Sequence, residues 1–105
     1  MRVETITELD DLVVRRMELA PGEAMFWHKD SCRRFSVVVQ GARLAIEYQD
    51  NGEVVEFDVS TGTAEWDDPQ PRVHRAINRS QNTYEEVVTF FRSSADVEPQ
   101  PRFKE

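Results

Sequence analysis

The chain has 105 residues, 20 acidic against 13 basic, a formal charge of −7 and one cysteine. That length fits one domain with a modest core, and the negative balance argues against nucleic-acid binding, which needs a basic stripe to displace counterions. Cys32 has no partner for an intramolecular disulfide, and neither a zinc framework of cysteines nor a secreted disulfide scaffold is available. No apolar run approaches the roughly 20 residues that span a bilayer, and the N-terminus lacks the basic-then-apolar layout of a signal peptide. The expectation is a cytoplasmic protein that binds neither nucleic acid nor membrane.

Val3 to Ala20 reads as extended chain interrupted at Leu9-Asp10-Asp11, with Leu12 to Leu19 apolar on both faces and covered on both sides. Pro21-Gly22 turns. Glu23 to His28 reads as a strand carrying Trp27 and His28 on opposite faces, and Phe35 to Val39 as a central strand. Leu44, Ile46 and Tyr48 alternate with polar neighbours, as do Val55, Phe57 and Val59; Asp50-Asn51-Gly52 between them offers the Asn-Gly pair that a type I′ hairpin turn takes.

Thr63 to Trp66 is a short strand, Asp67-Asp68-Pro69-Gln70-Pro71 a rigid solvated loop, Val73 to Arg79 a strand, and Tyr84 to Phe91 the last strand. From Ser93 periodicity ends and Pro99 and Pro101 appear, so the chain divides into one domain over 1–92 and a tail over 93–105. Short strands with turns between them and no 3.6-residue period predict an all-β sandwich or barrel.

His28 and Asp30 point the same way if their stretch is extended. With the distant His74 they supply a two-His, one-carboxylate ligand set suited to a divalent metal, with iron, manganese, zinc and nickel all admissible. The arginines cluster at Arg15-Arg16, at Arg33-Arg34, and at Arg72, Arg75 and Arg79; ordinary surface ion pairing accounts for most such residues. Trp27, Trp66, Phe26 and Phe90 are candidates to line an apolar pocket. Cys32 falls near the mouth of such a site, where oxidation is conceivable.

Pro21-Gly22 followed by His28, Asp30, Arg34 and Gly41 resembles the first motif of the cupin superfamily, and Gly62, Pro69, Pro71, His74 and Asn78 resemble the second. The resemblance implies a cupin-type jelly-roll β-barrel, two antiparallel sheets closed around an interior pocket. Metal-holding cupins take two His and a Glu from the first motif and a His from the second. Position by position these become His28, Asp30, Arg34 and His74. The carboxylate can ligate; the guanidinium has no lone pair to offer. At about 5 Å and an effective dielectric near 20 it repels a divalent ion by several kcal/mol.

The resemblance therefore implies a weak or degenerate metal site in a pocket for a small, anionic molecule, with Arg34, Trp66 and Phe90 as ligand-binding residues. The alternative is a metal-dependent oxygenase, isomerase or decarboxylase using His28, Asp30 and His74. The spacing is also similar to that of iron and 2-oxoglutarate oxygenases, but the chain is short for them and has Tyr84-Glu85 where their arginine stands. Small cupins pair sheet to sheet, so a homodimer is expected.

Overall fold

The computed structural model describes residues 1–92; the tail expected over 93–105 lies outside them. Among the described residues nine strands form: β1 Arg2–Glu8, β2 Leu12–Leu19, β3 His28–Asp30, β4 Arg33–Gln40, β5 Arg43–Tyr48, β6 Val54–Asp58, β7 Ala64–Asp67, β8 Gln70–Asn78 and β9 Tyr84–Phe91. Among the described residues no helix is long and apolar enough to cross a membrane. The strands make a five-stranded sheet in the order β1-β2-β9-β4-β7 and a four-stranded sheet in the order β3-β8-β5-β6, every pair antiparallel. This is the all-β jelly roll that the sequence leads one to expect.

Alternation decides which side chains meet between the sheets. In β2 the set Val13, Arg15, Met17 and Leu19 is buried while the residues between them are half-buried, so one face is fully covered rather than both. Met17, Leu19, Val38, Tyr84, Val88 and Phe90 from the first sheet meet Leu44 and Ala76 from the second, with Met25 joining them. Burying such side chains stabilises by roughly 1.5–3 kcal/mol each for the larger ones. Gly41 is required by this packing, because a Cβ there would lie 2.7 Å from the Tyr84 ring.

Three local expectations are revised. The strand expected over Glu23 to His28 is instead an irregular segment held by one bridge, Ala24 to Ile77, and regular pairing begins only at His28. The hairpin between β5 and β6 is closed by a four-residue loop, Gln49 to Gly52, with Gly52 N–H donating to the Tyr48 carbonyl and Gly52 at φ +74°; a two-residue turn on Asn51-Gly52 would have broken the pairing of Tyr48 with Glu53. The loop expected over 67–71 shrinks to Asp68-Pro69, with Asp67 ending β7 and Gln70 opening β8. Pro71 fits in β8 because the register slips there, His28 facing His74 but Asp30 facing Gln70, and an irregular stretch tolerates a residue with no N–H.

The barrel is incompletely closed. β6 and β7 are edge strands of their sheets, and Phe57 of β6 with Glu65 and Asp67 of β7 lines one cavity. Val55 and Phe57 stand opposite Ile46 and Leu44 and face inward, yet they are 45% and 38% exposed. The interior reaches solvent along this seam.

Candidate functional site

β3 and β8 build the centre. His28 and His74 are directly opposed across the pair, their rings 4.6 Å apart and tilted, and Asp30 projects to the same side two residues on. His28, Asp30 and His74 are all buried, while Lys29 between them is exposed. The extended conformation that convergence requires is therefore present. One ligand atom from each residue lies within 4.8 Å of the others.

The hydrogen bonds assign the imidazole nitrogens. His28 Nδ1 lies 2.8 Å from the Phe26 carbonyl and His74 Nδ1 2.7 Å from the Arg72 carbonyl. A carbonyl only accepts, so both Nδ1 atoms carry hydrogen and both Nε2 atoms face inward. His74 Nε2 then sits 2.9 Å from Asp30 Oδ2, and His28 Nε2 3.7 Å from Asp30 Oδ1. Two lone pairs do not approach that closely without a cation between them, so the geometry calls for a proton or a metal. Backbone carbonyls holding the far nitrogen are also what a metal-bound histidine uses for orientation. The donor set fits a divalent ion on this ground.

In His74, burial lowers the pKa, but the hydrogen bond to Asp30, the Arg72 carbonyl and the Asp30 charge outweigh burial and the nearby Arg34, leaving it raised.

Arg34 is the counterweight. It points into the barrel, with its side chain 17% exposed, Nη1 2.8 Å from Asp30 Oδ2 and Nη2 3.4 Å from Asp67 Oδ2. The Nη1 contact lacks hydrogen-bond direction, so it is an ion pair. Phe35, the next residue, faces outward against Trp66 with ring centroids 6.0 Å apart. Asp30 is thus shared by an arginine and two imidazoles.

These groups line one end of a cavity of about 140 Å³, room for a ligand of about benzene's size. Phe57, Phe90, Leu44 and Ile46 supply apolar wall, and Glu65, Asp67 and Glu86 supply carboxylates. Phe90 lines it as expected and is 1% exposed, with the Arg15 guanidinium over its ring. Trp66 does not line it. Its pairing with Phe35 turns it to the outer face, 55% exposed and against Phe91, because period-2 geometry sends Glu65 and Asp67 inward instead.

Phe26 and Trp27 are exposed too, Trp27 lying under the Arg75 guanidinium. Cys32 is fully buried and offers no accessible thiol. The arginines at 72, 75 and 79 pair with Asp50, Glu47 and Glu56 at the surface, the ordinary reading of that cluster.

Sequence reasoning missed Glu65, Asp67 and Glu86. The alternation about Trp66 would have found the first two had β7 been extended by one residue. Glu86 gives no local signal, since it interrupts an otherwise apolar inward series, Tyr84, Val88 and Phe90.

No protein-family model and no curated protein sequence matches the chain. Solved structures do. A cupin domain protein of Bordetella pertussis Tohama I superposes with a TM-score of 0.76 at 19% identity over 86% of this chain and 91% of that one. An RmlC-like cupin family protein with a double-stranded β-helix fold from Methanocaldococcus jannaschii gives 0.67 at 16% over 86% and 78%. A conserved protein with a double-stranded β-helix domain from Klebsiella pneumoniae gives 0.65 at 22% over 87% and 76%.

Proposed function

We propose, for a chain that has the cupin fold, that it binds a small molecule in the barrel beside a weak divalent-metal centre formed by His28, Asp30 and His74. The observation that carries this reading is the convergence of two Nε2 atoms and one carboxylate, each histidine already fixed through Nδ1. A bound ion would act as a Lewis acid on a ligand oxygen. Asp30 supplies the charge and the two imidazoles supply neutral donors. Arg34 limits affinity, because its guanidinium occupies Asp30 and repels a second cation.

The small anion first expected here has less to hold it. Arg34 is engaged by two carboxylates, and Glu65, Asp67 and Glu86 line the same space. The metal-dependent enzyme remains the second reading, favoured by a ligand set that leaves coordination positions for a substrate. On either reading the chain pairs as a two-fold dimer through the outer face of the five-stranded sheet. There Trp66, Phe35 and Phe91 cluster, and Arg16 with Glu85 adds both charge signs to the rim, which suits a self-complementary contact.

Elemental analysis before and after loading with manganese tests the centre. The protein as purified is expected to hold well under one metal per chain, to load under excess manganese, and to lose that capacity in His28→Ala and His74→Ala. One metal per chain undiminished in both variants would place the ion elsewhere.

A further inference from the structure

Glu86 is a half-buried acid that the centre described above leaves unused. It lies on the inner face of β9 between Tyr84 and Val88, and it lines the same cavity as His28, Asp30 and His74. Burial raises its pKa above the usual carboxylate range. Hydrogen bonding from Tyr84 and the Arg34 charge pull it down, and Asp30 and Asp67 push it up again.

Tyr84 fixes which oxygen carries the hydrogen. Its ring is buried at 3% exposure, and its hydroxyl donates to Glu86 Oε1 at 2.5 Å. Burial above all holds this phenol protonated far above its ordinary range, so it is a fixed donor. No second acceptor for it occurs among the described residues. Oε1 is therefore an acceptor, and the hydrogen of a protonated Glu86, a residue that lines the cavity, belongs on Oε2. The charged and titratable groups around it are Arg34 from β4, Asp30 and His28 from β3, His74 from β8, and Glu65 and Asp67 from β7.

We propose that Glu86 is the hydrogen-bond donor of the cavity, presenting Oε2–H to the acceptor oxygen of a small uncharged ligand such as an amide or ketone, with Tyr84 as its positioning residue. This rests on the reading of the cavity as a binding site. A carboxylate ligand would face Glu65 and Asp67 with Arg34 already engaged, and an ammonium would set donor against donor. Phe57, Phe90 and Leu44 accept the short hydrocarbon part of such a molecule.

Infrared spectroscopy and a matched ligand series test the assignment on the full chain. At pH 7 the carbonyl stretch of a protonated carboxyl is expected in the wild type, absent in Glu86→Gln and shifted in Tyr84→Phe, a change that loss of packing alone does not produce. Propionamide should bind at least tenfold more tightly than propionate or propylammonium. It should bind at least tenfold more weakly to Glu86→Leu, which keeps the bulk of the side chain but has no donor for the ligand.

Absence of the carboxyl band, propylammonium binding best with that affinity lost in Glu86→Gln, or failure of all three probes to bind would each overturn the proposal. Neither readout needs a metal. A band and amide affinity without metal loading would sink the metal centre alone, and metal loading without the band would sink this assignment alone.

Discussion

Two buried polar clusters lie on β8, and they differ in how completely they are satisfied. At one end Asn78, fully buried, uses its whole capacity: Nδ2 donates to the carbonyls of Leu19 and Asn82, and Oδ1 accepts from the Ser80 N–H and hydroxyl. At the middle of the strand His74 shares Asp30 with His28 and Arg34, two inward Nε2 atoms compete for one carboxylate, and Arg34 Nη1 meets Asp30 without hydrogen-bond direction. A side chain that serves the fold closes its hydrogen bonds within the chain. One that serves a ligand keeps valence open toward it, at some cost in stability. By this criterion Asn78, although part of the motif, is structural: it ties the β8–β9 turn to the end of β2.

Breaking the closed cluster should have the largest effect. Asn78→Ala removes the side-chain donor to the Leu19 carbonyl and the acceptor of the Ser80 N–H, while the Ser80 hydroxyl keeps the Asn82 carbonyl as its acceptor, and an unsatisfied buried group costs about 1–3 kcal/mol. We expect a loss of about 3 kcal/mol in urea denaturation, with manganese loading retained by the folded fraction. A loss below about 1 kcal/mol would mean that water replaces the side chain and that the contrast between the two clusters is overstated.

A smaller effect, at the open cluster, depends on pH. The folded protein holds the His74 proton more tightly than the unfolded chain does. The stabilisation it gives is complete below about pH 6.5, the unfolded value, and is lost as pH rises through the raised folded value. In chelator-treated protein the melting temperature should fall across that range, and Asp30→Asn should flatten the fall by removing the negative charge that holds the proton. A slope unchanged in Asp30→Asn would assign the proton to another group.

Much of this was legible in the sequence because it is local. Alternation in β5 and β6 fixed which residues face inward, and motif spacing brought His28, Asp30, Arg34 and His74 to one place. What escaped depends on pairing between distant segments. The four-residue step from Ala24 to His28 faces a three-residue step from Ile77 to His74, so regular pairing of β3 starts at His28 and not at Glu23. Trp66 looked like a pocket residue by composition, but its pairing with Phe35 sends it outward. Glu86 is charged in a strand otherwise apolar on that side, and only the position of the Tyr84 hydroxyl shows why it is there.

The smallest effect on folding concerns the outer face, where nothing is closed. Trp66→Ser removes a half-exposed ring, so stability should change by about 0.5 kcal/mol or less. The mass from light scattering at high micromolar concentration should nonetheless drop from dimer to monomer. A wild-type protein that is already monomeric at that concentration would remove the dimer from the account.

The central claim is that a cation belongs between His28, Asp30 and His74 and that Arg34 competes with it. Paired calorimetric titration of wild type and Arg34→Glu with manganese measures this most directly, with Arg34→Ala as the intermediate. Replacing the guanidinium by a carboxylate removes the repulsion and adds a ligand, so affinity should rise at least tenfold, about 1.4 kcal/mol, and Arg34→Ala should gain less. If neither protein binds manganese, or if the substitution leaves affinity unchanged, the His28, Asp30 and His74 cluster is not a cation centre restrained by Arg34.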